Sequence, residues 1–176
     1  MSNQTNFEKV VDFNTQFGVK IHSTHRPEIF DSEPNNVEFA MKLIREEMRE
    51  LEEAVKTKDY VETVDALADI LYVVYGMGTR IGVNMDQVFD IVHQNNMSKL
   101  CSSEEDAKAS VEYYLANKEK LGYDSPSYRL AEDGKHYVVY NQTTKKVLKS
   151  IKWQPVDLSF VMKTNKITLE DLVKRK

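Results

Sequence analysis

The chain has 176 residues, 41% of them hydrophobic and 30% charged, and a formal net charge of −4. That is enough apolar material for the core of one ordinary domain, and the acidic balance argues against a nucleic-acid-binding surface. No apolar run approaches membrane length, no secretory apolar segment follows Met1, and a single cysteine leaves no disulfide framework, so an intracellular, cytoplasmic protein is expected.

A short helix is expected over about Asn6 to Phe17, with Gly18 and then Pro27 to Pro34 breaking the chain. The stretch Asn36 to Lys58 has no Gly or Pro and is rich in good helix formers, so it reads as one helix. At about 100° per residue, Leu43, Ala54, Ala40, Leu51, Ile44 and Val55 share one side, and Arg45, Arg49, Glu52 and Lys56 the other. Three acids break this division. Glu47 projects between Ala54 and Ala40 inside the apolar arc, Glu50 lies near its edge between Phe39 and Leu43, and Glu46 sits on the border. Glu52 and Glu53 are ordinary solvated charge.

Tyr60 to Ile81 forms a second helix whose Val64 to Tyr75 portion is apolar on nearly every side and therefore reads as buried. Glu62, Asp65 and Asp69 follow i, i+3, i+7 spacing and point within one sector of roughly 60°. An EExxE string alone is ordinarily a solvated charge run. Three same-face acids on an apolar helix have fewer bland explanations, chiefly a buried ion pair with Arg or Lys, and divalent metal binding is the chemistry expected here. Carboxylate oxygens without Cys or His suit Mg²⁺ or Mn²⁺. Four or five carboxylates exceed what one Mg²⁺ usually takes from protein, so more than one ion per site fits once a phosphate substrate adds oxygens.

A further helix is expected from Asp86 to Leu100, bringing Asn96 and Lys99, three apart, onto one face. Four helices packed antiparallel would bury their apolar sides and hold the acids at a seam. Ser102-Ser-Glu-Glu105 reads as the start of a helix reaching about Lys118. Beyond Gly122 the pattern becomes strand-like, and a β-hairpin is expected between Lys135–Tyr140 and Lys145–Trp153 across the polar loop Asn141–Thr144. Lys146, Lys149 and Lys152 read as a solvated strand face. Thr168 to Lys174 reads as a short terminal helix. The expected fold class is mainly α: a four-helix-bundle-type core over residues 1–101, with a helix-plus-hairpin extension over 102–176 packed on it as a single domain. Four short helices cannot cover Val61 to Tyr75 on every side, so self-association is expected.

The order Glu46-Glu47-x-x-Glu50, an 11-residue gap, then Glu62-x-x-Asp65 resembles the EExxE…ExxD signature of the all-α nucleoside triphosphate pyrophosphohydrolases. These include MazG, the dimeric dUTPases and phosphoribosyl-ATP pyrophosphohydrolase. The segments Asp65 to Gly76 and His93-Gln-Asn-Asn-Met-Ser-Lys99 are similar to helices of the MazG-like and phosphoribosyl-ATP pyrophosphohydrolase-like branch, and the resemblance covers roughly residues 5 to 101.

The resemblance implies hydrolysis of a nucleoside triphosphate between its α and β phosphates, giving the monophosphate and pyrophosphate with Mg²⁺, or Mn²⁺ in its place. Carried over, Glu47, Glu50, Glu62 and Asp65 are the expected metal ligands. Glu46 and Glu47 are the expected catalytic acids, with Glu46 either a further ligand or the group that orients or deprotonates the attacking water. Asp69 is expected as an outer acceptor on the substrate side. Lys99 is assigned to phosphate and Asn96 to the sugar, base or phosphate. The family implies a homodimer or homotetramer, with no nucleic-acid or membrane partner. Two other readings remain: the phosphoribosyl-ATP step itself, which the long extension after Leu100 disfavours, and a non-catalytic helical oligomer that binds metal for structure. The preferred base is not legible, because Phe7, Phe13, Phe17, Tyr72, Tyr75 and Phe89 have the helical spacing of core aromatics.

Overall fold

The computed structural model describes residues 4–162, so the helix expected over Thr168 to Lys174 and the Lys-Arg-Lys ending lie outside the described residues. The chain is mainly helical with one small antiparallel β-hairpin toward its C-terminal end. It divides into two compact units, one formed by Met1–Phe89 with Asp157–Lys176 and the other by Asp90–Val156.

The first unit is built from α1 (Asn6–Gln16), a one-turn helix α2 (Ile29–Ser32), α3 (Pro34–Thr57) and α4 (Tyr60–Ile81), and it takes in the start of α5 (Met85–Met97). Helix α1 begins with a capping box: the Thr5 hydroxyl accepts from the Glu8 amide at 3.3 Å, and the Glu8 carboxylate accepts from the Thr5 amide at 2.8 Å. Pro34 occupies the first turn of α3, where its missing N–H costs nothing. Between α3 and α4 only Lys58 and Asp59 intervene. Lys58 takes a left-handed conformation with φ of 59°, and the Asp59 carboxylate caps α4 by accepting from the Val61 and Glu62 amides at 3.0 and 3.1 Å. So short a link folds α4 back along α3 as a helical hairpin.

Small side chains bring the two helices together, with Ala40 and Ala54 of α3 and Ala66 of α4 all buried. Helix α1 lies on α4, where Asn14 Nδ2 donates to Thr79 Oγ1 at 2.9 Å inside the core and Phe13 meets Tyr72 edge-on. Asp86 ties three elements together. It accepts from the Phe7 amide at 3.2 Å and from the Tyr75 hydroxyl at 2.7 Å.

Helix α4 is not the buried helix its composition predicts. Val61 is 73% exposed and Leu71 59%, and Val64 and Leu67 also face outward; its buried residues are Ala66 and the Gly78-Thr79-Arg80 end. Among the described residues of this unit only α1 and α3 pack extensively on α4, and two helices cannot enclose a third that is apolar all round.

The second unit contains the rest of α5, α6 (Glu104–Ala116), the short α7 (Lys118–Leu121), β1 (Pro126–Leu130) and β2 (Tyr137–Asn141). Ser103 caps α6 by accepting from the Asp106 amide, close to where the sequence places this start. Helix α6 packs on both strands around a core of Cys101, Ala107, Tyr114, Val139 and Leu148.

The hairpin differs from the expected one. Strand β2 pairs with β1 in the register Pro126↔Asn141 to Leu130↔Tyr137, while Lys145–Trp153 touches it only at the single bridge Tyr140↔Val147. The cause is a knot of polar side chains. The fully buried Asn141 donates to Asp124 and Thr144, both at 3.1 Å, and accepts from the Ser125 amide at 3.0 Å. This fastens the start of β1 to the end of β2, and Lys145, left-handed at φ 59°, closes a turn that brings the chain back for that one bridge, where the Lys146 carbonyl accepts from the Asn141 amide at 2.9 Å and the Leu148 amide donates to the Val139 carbonyl at 2.8 Å. Pro126, a turn signal in the sequence, opens an edge strand, where no amide is required of it.

Two features of the first unit lead to stability predictions. Gly82 ends α4 with φ of 73°, and a Cβ placed there would stand 1.8 Å from the Thr24 carbonyl oxygen, because the preceding loop runs along the helix end and donates the His22 and Arg26 amides to the Thr79 and Ile81 carbonyls. Gly82→Ala is expected to cost about 2 kcal/mol or more and to lower the thermal midpoint by roughly 4 to 8 °C, measured by circular dichroism.

Glu33, just before α3, holds Lys20 Nζ at 2.9 Å and His22 Nε2 at 3.1 Å and accepts from Asn36 Nδ2 at 3.1 Å. The lysine contact, aided by His22 and Asn36 and opposed by burial, lowers its carboxyl from 4.5 to about 2. A depressed acid contributes stability that is complete above its unfolded value and is lost as pH falls toward its folded one. The excess of the wild-type urea midpoint over that of Glu33→Gln is therefore expected to be constant near neutrality and to shrink between pH 4.5 and about 2.

Candidate functional site

The α3–α4 hairpin sets the geometry of the acids. Glu47 stands seven residues from Ala40 and seven from Ala54, both buried, and is thus in the column of α3 residues that faces the seam. Its proton affinity is raised, first because burial disfavours the charge and then because Glu50, Asp69, Glu46 and Asp65 all direct negative potential at it. Two helices therefore contribute to one electrostatic cluster. Glu47 and Glu46 are half-buried, whereas Glu50, Asp65 and Asp69 are exposed.

Asp69, read from the sequence as an outer acceptor, bears more strongly on Glu47 than Asp65 does. Glu62 acts on Glu47 less than these four acids do. It lies one turn nearer the start of α4, where with Asp65, Tyr60, Val61, Val64 and Ala68 it lines an open groove of about 470 Å³.

Among the described residues no three carboxylate, imidazole or thiol groups converge closely enough to enclose a metal ion on their own. The donor set nevertheless fits a hard divalent cation. It offers oxygen alone, the donor type Mg²⁺ prefers, and waters and phosphate oxygens ordinarily complete the shell of that ion. Burial and mutual repulsion at Glu47 are the strain such a cation relieves.

Asn96 and Lys99 belong to the second unit, where Lys99 Nζ donates to Asn96 Oδ1 at 2.6 Å and the Lys99 carbonyl accepts from the Ser150 amide at 3.2 Å. Of the aromatics considered for base stacking, Phe7 is core, Tyr75 is engaged with Asp86, and Phe17 lies stacked on Phe13 with ring centres 4.3 Å apart. Phe39, which the sequence reading used only to mark the edge of an apolar arc, is half-exposed with the Arg80 guanidinium 5.3 Å from its ring centre.

The helical region that carries the seam belongs to a class, the MazG-like all-α nucleoside triphosphate pyrophosphohydrolases. Within it, residues 10–96 match the model of the phosphoribosyl-ATP pyrophosphohydrolase family, so the chain carries a domain of pyrophosphohydrolase type. An uncharacterized protein of Acanthamoeba polyphaga mimivirus is 29% identical over an alignment of length 231, gaps included, which takes in 83% of this chain and 91% of the relative. A likeness covering 83% of the chain cannot fit within residues 1–96, so it continues into the second unit. Among the described residues no single helix is long and apolar enough to cross a membrane.

Removing one charge from the cluster tests whether its acids repel one another. In metal-free buffer Glu47→Gln is expected to raise the thermal midpoint by roughly 2 °C, as about 0.5–1 kcal/mol of relieved repulsion and desolvation would. Addition of Mg²⁺ is expected to reverse the order by stabilising only the wild type, an outcome read by scanning calorimetry with and without the metal.

Proposed function

We propose that the α3–α4 seam hydrolyses a nucleoside triphosphate between its α and β phosphates, releasing the monophosphate and pyrophosphate in the presence of Mg²⁺. The observation that supports this reading most directly is the gathering of Glu46, Glu50, Asp65 and Asp69 around the half-buried Glu47. Glu47 and Glu50 from α3, with Asp65, Asp69 and Glu62 from α4, would hold the metal. When bound, Mg²⁺ neutralises phosphate charge and makes a coordinated water easier to deprotonate.

The remaining work falls to the chain itself. Phosphoryl transfer needs in-line positioning and charge cancellation more than covalent help, so a rigid helical hairpin is a suitable frame. Glu46, on the border of the seam, orients the water or takes its proton. The water oxygen attacks the α phosphorus, the bond to the bridging oxygen breaks, and pyrophosphate leaves. Lys99 and Asn96 enter as substrate contacts through the family resemblance alone.

The exposed apolar side of α4, with Tyr60, Val61, Val64, Leu67 and Leu71, supports a homodimer or homotetramer in which a second copy covers it.

The test is a screen of canonical and modified nucleoside triphosphates, phosphoribosyl-ATP included, that detects pyrophosphate separately from orthophosphate. Pyrophosphate release that stops in EDTA is expected; orthophosphate with a diphosphate product would contradict cleavage at the α–β bond. Glu50→Gln, Asp65→Asn and Asp69→Asn are each expected to lose about 100-fold or more in turnover while remaining folded. Near-normal turnover of any of the three at limiting Mg²⁺ removes that residue from the site.

A further inference from the structure

Arg80, in the last turn of α4, is 8% exposed, yet among the described residues it forms no ion pair. A guanidinium carries five N–H donors, and burying one without a carboxylate is costly. Arg80 uses one of them, donating through a terminal nitrogen to Asn36 Oδ1. The nearest acid in this network, Glu33, is engaged by Lys20 and His22 and reaches Arg80 only through Asn36. Because Asn36 Nδ2 donates to Glu33, the amide oxygen is left facing Arg80, and the guanidinium is held in place from one side. The guanidinium carbon stands 5.3 Å from the ring centre of Phe39, which is 50% exposed. An anchored fork of spare donors beside an open aromatic ring is the equipment for reading a flat heterocycle with acceptors on its edge.

The position of this corner relates it to the acids. Arg80 is 11 residues beyond Asp69 on α4, and Asn36 is 11 residues before Glu47 on α3. Eleven residues bring a helix round to within about 20° of the same face and advance it by about 16 Å. Both pairs therefore lie along the same seam. Helical side chains lean toward their own N-terminus, so Arg80 leans toward Asp69 and Glu47 toward Asn36, which shortens the gap to about the reach of a nucleotide from its phosphate to the far edge of its base.

Resting on the reading of the seam as a nucleotide site, we propose that Asn36, Phe39 and Arg80 form its base-recognition corner. Arg80 donates both arms of its fork to a base edge that presents two adjacent acceptors, O6 and N7 of guanine or O2 and N3 of cytosine, while Phe39 stacks on the ring. Adenine and uracil place a donor next to the acceptor on the corresponding edge and are disfavoured.

The test is equilibrium binding of GMP, CMP, AMP, UMP and ribose 5-phosphate to the full chain in Mg²⁺, which reads the corner whether or not any triphosphate is hydrolysed. GMP or CMP is expected to bind about tenfold or more tighter than AMP, UMP and ribose 5-phosphate. Arg80→Lys, which keeps the charge but loses the fork, is expected to abolish that preference and leave ribose 5-phosphate binding unchanged. Phe39→Leu, at a half-exposed position, is expected to weaken every base-bearing ligand and serves if Arg80→Lys does not fold. Base-independent binding by the wild type, base-bearing ligands that bind Phe39→Leu as tightly as the wild type, or a preference that survives a folded Arg80→Lys, overturns the proposal. So does a folded Arg80→Lys that keeps the preference but changes the oligomeric mass, because the spare donors would then belong to a subunit contact. An Arg80-dependent preference without hydrolysis leaves the corner standing and refutes the hydrolytic reading instead.

Discussion

Glu47 is held between two buried alanines on a helical seam, and its charge is opposed both by burial and by four neighbouring carboxylates. The surroundings of the seam counter that opposition. Long helices keep the backbone of α3 and α4 from yielding, the small side chains at the contact keep them close, and the ends are secured by side chains that reach across elements, Asp86 at α1 and α4 and Glu33 before α3. Acids placed on floppy loops would splay apart. On paired helices they stay where a cation can collect them, which is how a rigid frame converts electrostatic strain into affinity.

Much of this was visible in the sequence because helices obey a strict period. The absence of Gly and Pro from Asn36 to Lys58, the i, i+3, i+7 acids of α4 and the Ser102–Glu105 signal each carry their own physics, and the helices form at or within a few residues of those positions. What escaped notice depends on partners remote in the chain. The pairing of β1 with β2 is decided by Asn141 reaching Asp124 and Ser125, and no local pattern announces it. The prominence of Asp69 over Glu62 around Glu47 arises from the offset between two helices, which one helical wheel cannot show. Nothing in the sequence pattern distinguishes Arg80 from any basic residue at a helix end; only the fold shows it buried and, among the described residues, without an ion pair.

The second unit follows different rules. Its core is small and gathered around Cys101, Tyr114 and Val139, with tyrosines packed edge-on, and hydrogen-bonded polar side chains such as Ser110 and Asn141 are fully buried within it. The family model stops at residue 96, while the mimivirus relative continues into this unit. The family model thus takes in the helical hairpin, and the likeness to the viral protein takes in part of the extension as well.

That Asp69 and Arg80 share one helix has an evolutionary consequence. Inserting one residue into α4 ahead of Asp69 would turn the rest of the helix by about 100° and carry Asp69 and Arg80 off the seam together. The link between α3 and α4 can absorb an extra residue, because Lys58 and Asp59 lie outside both helices. Changes of length are therefore tolerated in the link and not within the helix, where descendants of this protein alter one end without the other only by exchanging side chains in place.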